Sequence, residues 1–413
     1  MGLYVTALGK WLLVAIVAGM ACGVMGTLFH LGVEKATALR GVHGWLLFCL
    51  PVAGLAIAWI YRHTQLEGVG TNVVIEAVHL GKAVPFLLPP VIFCCTVLTH
   101  LCGGSAGREG AALQMGGGIG HQVGLLFHLD DKDMRIATLC GMSAFFSALF
   151  GTPLTAAFFA LEVISVGVLY YAGFVPCLVS ALVAFGISVA AGVSPTHFTV
   201  AAPSVSTVML VRVAILGLLC ALVSILLCEV LHRVEHALKQ TLPNPYPRVV
   251  AGGFAVIALT LLLGTTDYNG AGMQVIEAAI GGSARPEAFL LKLLLTAVTI
   301  GAGFKGGEVV PTFFIGATFG CAVGAVLGIP PGFAAAVGLI AVFCGAVNCP
   351  VASIALSIEL FGAEGLLFFA IACAVSYMLS GYRGLYSSQT ILYSKLKAEF
   401  INIHTREYGD AKK

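Results

Sequence analysis

Apolar runs recur from one end of this chain to the other, at roughly 11–31, 45–62, 87–102, 135–149, 153–191, 208–230, 249–264, 286–300, 311–327, 333–348, 350–361 and 365–380. With 59% hydrophobic and only 10% charged residues, no aqueous domain of this size could hide so much apolar surface. The expectation is an all-α polytopic membrane protein, because lipid leaves backbone polar groups to be satisfied inside helices. Several runs are shorter than the ~20 residues that a simple span needs, whereas 153–191 is long enough for two helices. Uneven lengths and glycine interruptions predict tilted and broken helices rather than a regular bundle. A net charge of +2 gives no reason to expect a nucleic-acid partner. The 13 cysteines lie mostly inside apolar runs, without Cys-x-x-Cys or a histidine at zinc spacing, and read as small packing residues.

At the N-terminus Lys10 precedes an apolar run from Trp11 to Leu31, too long for a signal-peptide core, which predicts a retained first membrane helix. Met1-Gly2 with Thr6 fits a myristoylation pattern too common to carry weight. Residues 392–413 hold five Lys/Arg against three Asp/Glu, which by the positive-inside rule makes them a short cytoplasmic tail.

Deep in the apolar background, Gly103–Gly118 carries an adjacent charge pair, Arg108–Glu109, between Gly107 and Gly110. Ionisable residues at membrane depth are costly and mostly functional. Glycine-rich breaks expose backbone amides, and a new helix start adds a partial positive charge. Such a start suits an anion or the carboxylate of Glu109, so one reading is an anion pathway in which Glu109 competes for the site. The other is a buried ion pair that only fixes a bend.

The chain also repeats itself. Gly68-Val-Gly-Thr-Asn-Val-Val-Ile-Glu-Ala-Val78 matches Gly270-Ala-Gly-Met-Gln-Val-Ile-Glu-Ala-Ala-Ile280; Gly107-Arg-Glu109 matches Gly306-Gly-Glu308; Pro153…Glu162 matches Pro350…Glu359. The order is the same and the spacings nearly so: Gly68 to Glu109 is 41 residues and Gly270 to Glu308 is 38. This divides the chain into a first membrane repeat (1–231), a polar connection (232–248), a second repeat with the start of a final pore helix (249–391), and the tail (392–413). Internal repeats in transporters put the substrate site where the repeats meet.

With order and spacing in place, Gly107-Arg-Glu-Gly110 resembles the Gly-Arg-Glu-Gly-Pro signature of the CLC family of chloride channels and anion/proton exchangers, with Ala111 in place of the proline. Gly68-Val-Gly-Thr-Asn72 stands where that family has Gly-Ser-Gly-Ile-Pro, Gly306-Gly-Glu-Val-Val-Pro311 where it has Gly-Gly-x-Phe-x-Pro, and Gly384-Leu-Tyr-Ser387 resembles its last membrane helix. The resemblance spans about residues 11–395. It implies two inverted repeats, a multi-pass protein of the plasma (inner) membrane, and a homodimer with one pore per subunit. The interface would lie around Leu161–Phe185 and Ala352–Ala372. It further implies chloride or fluoride as the cargo with protons as the coupled ion, no cofactor, and Glu109 as the gate. Val69, Gly70, Thr71, Arg108, Gly110, Val309, Val310 and Tyr386 would surround the anion.

Departures from the family pattern bear on selectivity. Val69 stands where chloride-type members place a serine hydroxyl; Thr71 offers one two residues later, or else caps a helix. Glu308 replaces an apolar residue and, with the paired signatures, resembles the fluoride-exporting branch; Val69, Thr71 and Val310 do not match that branch's usual Met, Asn and Thr. The inner proton-transfer glutamate of chloride exchangers is Val163 here. Either proton coupling is absent, leaving a passive chloride channel, or Glu308 takes the role. A further reading of Glu308 is a carboxylate in a wet vestibule or paired with Lys305. Glu76, Glu277, Glu162 and Glu359 read as structural groups of matching helices, and His79, His100 and His121 as isolated structural histidines. A membrane enzyme is the alternative of another class; it would need a nucleophile–base pair or a metal cluster at membrane depth, whereas the repeat with its paired Gly-x-Glu landmarks favours transport.

Overall fold

The computed structural model describes residues 2–81 and 83–405. Among them sixteen α-helices follow one another in two sets of eight. The first set is α1 (Gly2–Val42), α2 (Leu50–His63), α3 (Thr71–Leu80), α4 (Leu88–Leu101), α5 (Glu109–Leu126), α6 (Asp131–Phe150), α7 (Pro153–Glu162) and α8 (Phe174–Ala190). The second is α9 (Thr207–Thr241), α10 (Pro245–Leu263), α11 (Met273–Ile280), α12 (Ala288–Ala302), α13 (Val309–Leu327), α14 (Pro331–Val347), α15 (Pro350–Phe361) and α16 (Leu366–Leu379). The short members fall in the same places: α3 and α11 have 10 and 8 residues, α7 and α15 have 10 and 12. Six of them are long and apolar enough to cross a membrane, and six more are apolar but shorter, at 10–17 residues. This is the tilted, broken-helix architecture that the uneven runs predict, and 153–191 holds two helices, α7 and α8.

Each half is built around one largely buried helix, α6 in the first, buried without a break over Ala137–Phe150, and α14 in the second, with Phe333–Val347 buried throughout. Each packs against the helix before it through glycines. A Cβ on Gly116 or Gly120 would lie 2.3 Å from the carbonyl oxygens of Gly141 and Ala137 on α6. In the second half a Cβ on Gly316 or Gly320 would lie 2.4 or 2.2 Å from those of Gly338 and Ala334 on α14. No side chain fits, so backbones meet directly, as small-residue packing in lipid requires. The Gly116–Gly120 run is thus a packing device.

Three boundaries differ from expectation. Residues 232–241, read as the start of a polar connection, continue α9 as helix. Pairs one turn apart, Glu229–Arg233 at 2.8 Å and Glu235–Lys239 at 2.5 Å, support a polar helical end. Correspondence of helices puts the repeat junction before α9, in 191–206. Second, Gly384–Ser387 is not helical: the chain turns there and enters strand β2 (Thr390–Tyr393). Third, the first residues of the tail form a hairpin: β2 pairs parallel with β1 (Ser165–Val166) and antiparallel with β3 (Phe400–His404). Residues 406–413 of the tail lie outside the described residues.

Candidate functional site

Two broken segments meet at the centre. Gly107 and Gly307 form an antiparallel bridge, with Gly107 N–H donating to Gly307 O at 2.7 Å and Gly307 N–H to Gly107 O at 2.8 Å. Neither position has room for a side chain: a Cβ on Gly307 would lie 2.3 Å from Gly110 N, and one on Gly107 would lie 2.5 Å from Glu109 Oε2. The bridge corrects the register of the internal match. Gly107 corresponds to Gly307, so Arg108 corresponds to Glu308 and Glu109 to Val309. Accordingly α5 begins at Glu109 after an Arg108 cap position, and α13 begins at Val309 after a Glu308 cap position. Matching glutamate with glutamate shifts the alignment by one residue.

The bridge makes the N-termini of α5 and α13 converge. Glu109, fully buried, uses that convergence: its Oε2 accepts from Arg108 N–H at 2.9 Å and from Val310 N–H at 3.2 Å. One carboxylate oxygen therefore takes an amide from each half of the molecule. Its Oε1 has no hydrogen-bond partner among the described residues and lies 3.7 Å from Arg108 Nε. Beyond that contact, the tip of the Arg108 side chain reaches His30 Nδ1 at 3.0 Å and the Leu149 carbonyl at 3.5 Å. The ion-pair reading is partly correct, since Arg108 and Glu109 do face each other, but the closer partners of Glu109 are backbone amides.

On one side lies a cavity of about 370 Å³, lined among others by Val69, Gly70, Thr71, Lys305, Glu308 and Tyr386. Thr71 is the first residue of α3 and does not cap it; Gly70 occupies the cap position. The Thr71 hydroxyl instead donates to Gly110 O at 3.3 Å and accepts from Gln114 Nε2 at 3.2 Å, tying α3 to the start of α5. Glu308 is half-buried at the cavity wall, and the Lys305 ammonium sits 4.0 Å over the Tyr61 ring. The vestibule reading therefore describes Glu308 better than a pair with Lys305. The Tyr386 hydroxyl is buried and has no hydrogen-bond partner among the described residues.

The rest of the loop that presents Tyr386 is held from several directions. Ser388 donates its N–H to Asn72 Oδ1 at 3.1 Å and its hydroxyl to Glu76 at 3.0 Å, while Gln389 donates to the Val163 and Val347 carbonyls at 3.1 and 2.9 Å. Sequence reading missed His30 and Gln114, both lone polar residues within apolar or glycine-rich surroundings. It also missed Lys292, fully buried and donating to the Tyr268 and Gly270 carbonyls at 3.0 and 2.6 Å. Only Lys292 had a visible signal, a lysine inside the apolar run 286–300.

Comparisons with known proteins agree with this fold. A family model described as "Voltage gated chloride channel" matches residues 53–381. A "Chloride/fluoride channel protein" of Pseudomonas syringae pv. tomato is 36% identical over 94% of this chain and 88% of its own. Among solved structures, a CLC-type fluoride/proton antiporter superposes with a TM-score of 0.90 at 32% identity, covering 93% of this chain and 98% of that one. A slow cyanobacterial Cl-/H+ antiporter superposes with a TM-score of 0.77 at 20% identity, over 90% and 94% of the two chains, a likeness of fold.

Proposed function

Because this chain belongs to the voltage gated chloride channel family, whose common activity is anion transport, we propose that it exchanges a small anion for protons and carries fluoride at least as well as chloride. The observation that carries this reading is the position of the Glu109 carboxylate on amides from both halves. A bare anion in a membrane needs its water replaced by donors, and amides at helix starts do this with little net charge, so release stays possible. Ionised, Glu109 occupies those donors itself. Protonated, it has less hold on them and yields them to the anion, so proton and anion occupancy are linked. Tyr386, whose buried hydroxyl lacks a partner, supplies a further donor from the cavity side. Glu308 is a second carboxylate reachable from the same cavity; with Val163 at the usual inner position, it is the residue we assign to proton transfer there. The names of the relatives at 36% and 32% identity, a chloride/fluoride channel and a fluoride/proton antiporter, support fluoride. Val69 and Val310 supply no side-chain hydroxyl, so donors to the strongly hydrated fluoride come from backbone and Tyr386.

We assign the subunit interface of a homodimer to α7, α8, α15 and α16, and the tail to the cytoplasm. Purified protein in liposomes tests the whole reading: fluoride efflux should equal or exceed chloride efflux, move protons the opposite way, and come from a species that cross-links as a dimer. Chloride efflux without fluoride efflux rejects the assigned cargo, and anion efflux without proton movement rejects exchange.

A further inference from the structure

Arg108 connects the buried gate to the protein surface through a histidine. Its Nη1 lies 3.0 Å from His30 Nδ1, and one turn along α1 the other ring nitrogen, Nε2, lies 3.8 Å from Glu34 Oε2. Side-chain exposure falls along this line from 67% at Glu34 to 16% at His30 and Arg108 and 0% at Glu109. The arrangement constrains the proton on the ring. A guanidinium can only donate, so His30 Nδ1 must accept, which leaves the imidazole neutral with its hydrogen on Nε2, toward Glu34. A second proton on His30 would set two donors face to face and break the bond to Arg108.

We propose that His30 is a positioning residue for the gate: neutral, it fixes the Arg108 guanidinium with Nε 3.7 Å from Glu109 Oε1, short of a hydrogen bond, and on protonation it releases Arg108 to close on that oxygen. This rests on the reading of Glu109 as gate. The charged and titratable groups around His30 agree with it. From its own helix comes Glu34, which stabilises the protonated ring, and from the start of α5 come Arg108, which opposes it, and Glu109. The end of α4 contributes His100, whose Nδ1 is engaged by the Thr96 carbonyl and whose own carbonyl holds Arg40. From α6 comes the Leu149 carbonyl, the second anchor of Arg108, while the charged residues of α6 lie at its opposite end. The helix α8, packed along α1, carries no charged residue. Released from His30, Arg108 keeps Leu149 and turns its 3.7 Å ion-pair contact with Glu109 Oε1 into a hydrogen bond. That favours ionised Glu109 in its place on the amides, so acid on the Glu34 side acts as a brake on the proton-driven opening.

Two substitutions separate positioning from simple packing. His30→Asn keeps an acceptor near the Nδ1 position but cannot titrate; His30→Leu removes the acceptor. His30→Asn should keep the unaltered rate of fluoride efflux at neutral pH and lose the acid inflection when pH is lowered on the Glu34 side. His30→Leu should lower efflux severalfold at every pH. Nitrogen NMR of histidine-labelled protein, assigned by the signal lost in His30→Asn, should show an unprotonated Nδ1 and a protonated Nε2 at neutral pH. A protonated Nδ1 at neutral pH overturns the inference, as do superimposable pH profiles of the unaltered protein and His30→Asn. If the unaltered protein carries neither fluoride nor chloride, the gate reading fails by itself, and the ring tautomer still decides whether His30 holds Arg108.

Discussion

At the start of α5 the chain reads Gly107-Arg-Glu-Gly-Ala111, and at the start of α13 it reads Gly307-Glu-Val-Val-Pro311. The backbones are equivalent, bridged glycine to glycine across a local two-fold relation. The side chains are not. The first half places a carboxylate at the first helical position, where it folds onto amides of both helices. The second half places its carboxylate one residue earlier, at the cap position, where it faces a cavity. A symmetric scaffold thus makes the pair of converging helix starts, and a one-residue offset in the acid sets the two starts apart. One acid sits on the converging amides, and the other meets the cavity.

The largest effect should come from removing either acid. Glu109→Gln keeps the size but removes the titratable charge, so proton coupling should disappear. In fluoride/proton exchange the flux itself should fall by about tenfold or more, the change that 1.4 kcal/mol brings, because the carboxylate is needed in each cycle. Glu308→Gln should produce a comparable fall. Proteoliposome efflux with simultaneous pH recording checks both. Persistent uncoupled flux in Glu109→Gln, with Glu308→Gln unchanged, would put all of the gating on the first half and indicate a chloride-like cycle. Unchanged coupled flux in Glu109→Gln would leave Glu109 as only the neighbour of Arg108.

Elsewhere the two halves are alike in detail, and there equal effects are expected. Glu162, at the end of α7, accepts from Val351 and Ala352 N–H at the start of α15, at 3.1 and 2.8 Å. Glu359, in α15, accepts from Leu154 and Thr155 N–H at the start of α7, at 2.9 and 2.8 Å. Each helix caps the other. Replacing either acid by Ala strands two amides and removes charge-assisted bonds, a cost of about 1.5–3 kcal/mol. Thermal unfolding in detergent should show similar losses for Glu162→Ala and Glu359→Ala. A loss confined to one of them would break the two-fold reading of this pair.

How much of this was legible in the sequence follows from the range of the signals. Apolar runs, glycine landmarks and the Pro…Glu matches are local, and they carried the membrane fold, the repeat and the structural role of Glu162 and Glu359 in matching helices. What failed depends on pairing between distant segments. The one-residue register of the α13 start is set by the Gly107–Gly307 bridge, which spans both halves. The turn at Gly384–Ser387 and the hairpin after it depend on β1 pairing with β2. Residues 232–241 looked like a loop by polarity, but a polar end on an apolar helix satisfies the same composition. His30 carried no local signal because its partner lies 78 positions away.

The smallest expected effect again separates the halves, at the two buried helices. α6 begins with Asp130, whose Oδ1 accepts from Lys132 N–H at 3.0 Å and Asp133 N–H at 2.8 Å. Its counterpart α14 begins at Pro330–Pro331 without a side-chain cap. The N–H of Asp133 foremost, then that of Lys132, holds the exposed Asp130 carboxyl below the usual carboxylate range. A folded-state pKa below the unfolded value means that the unfolded chain binds the proton more readily. The cap's contribution is therefore present above the unfolded pKa of about 3.9 and is lost as pH falls through the lower folded value. Asp130→Ala should lower the apparent melting temperature slightly at pH 6, and the gap from the unaltered protein should begin to close as the buffer is taken below the unfolded carboxyl pKa of about 3.9, and vanish once the folded cap is protonated. Asp130→Asn, which keeps an acceptor but not the charge, should show a smaller gap with no such closure. A gap for Asp130→Ala that stays constant into acid would mean that α6 starts as α14 does, on backbone and packing alone, and would remove this difference between the halves.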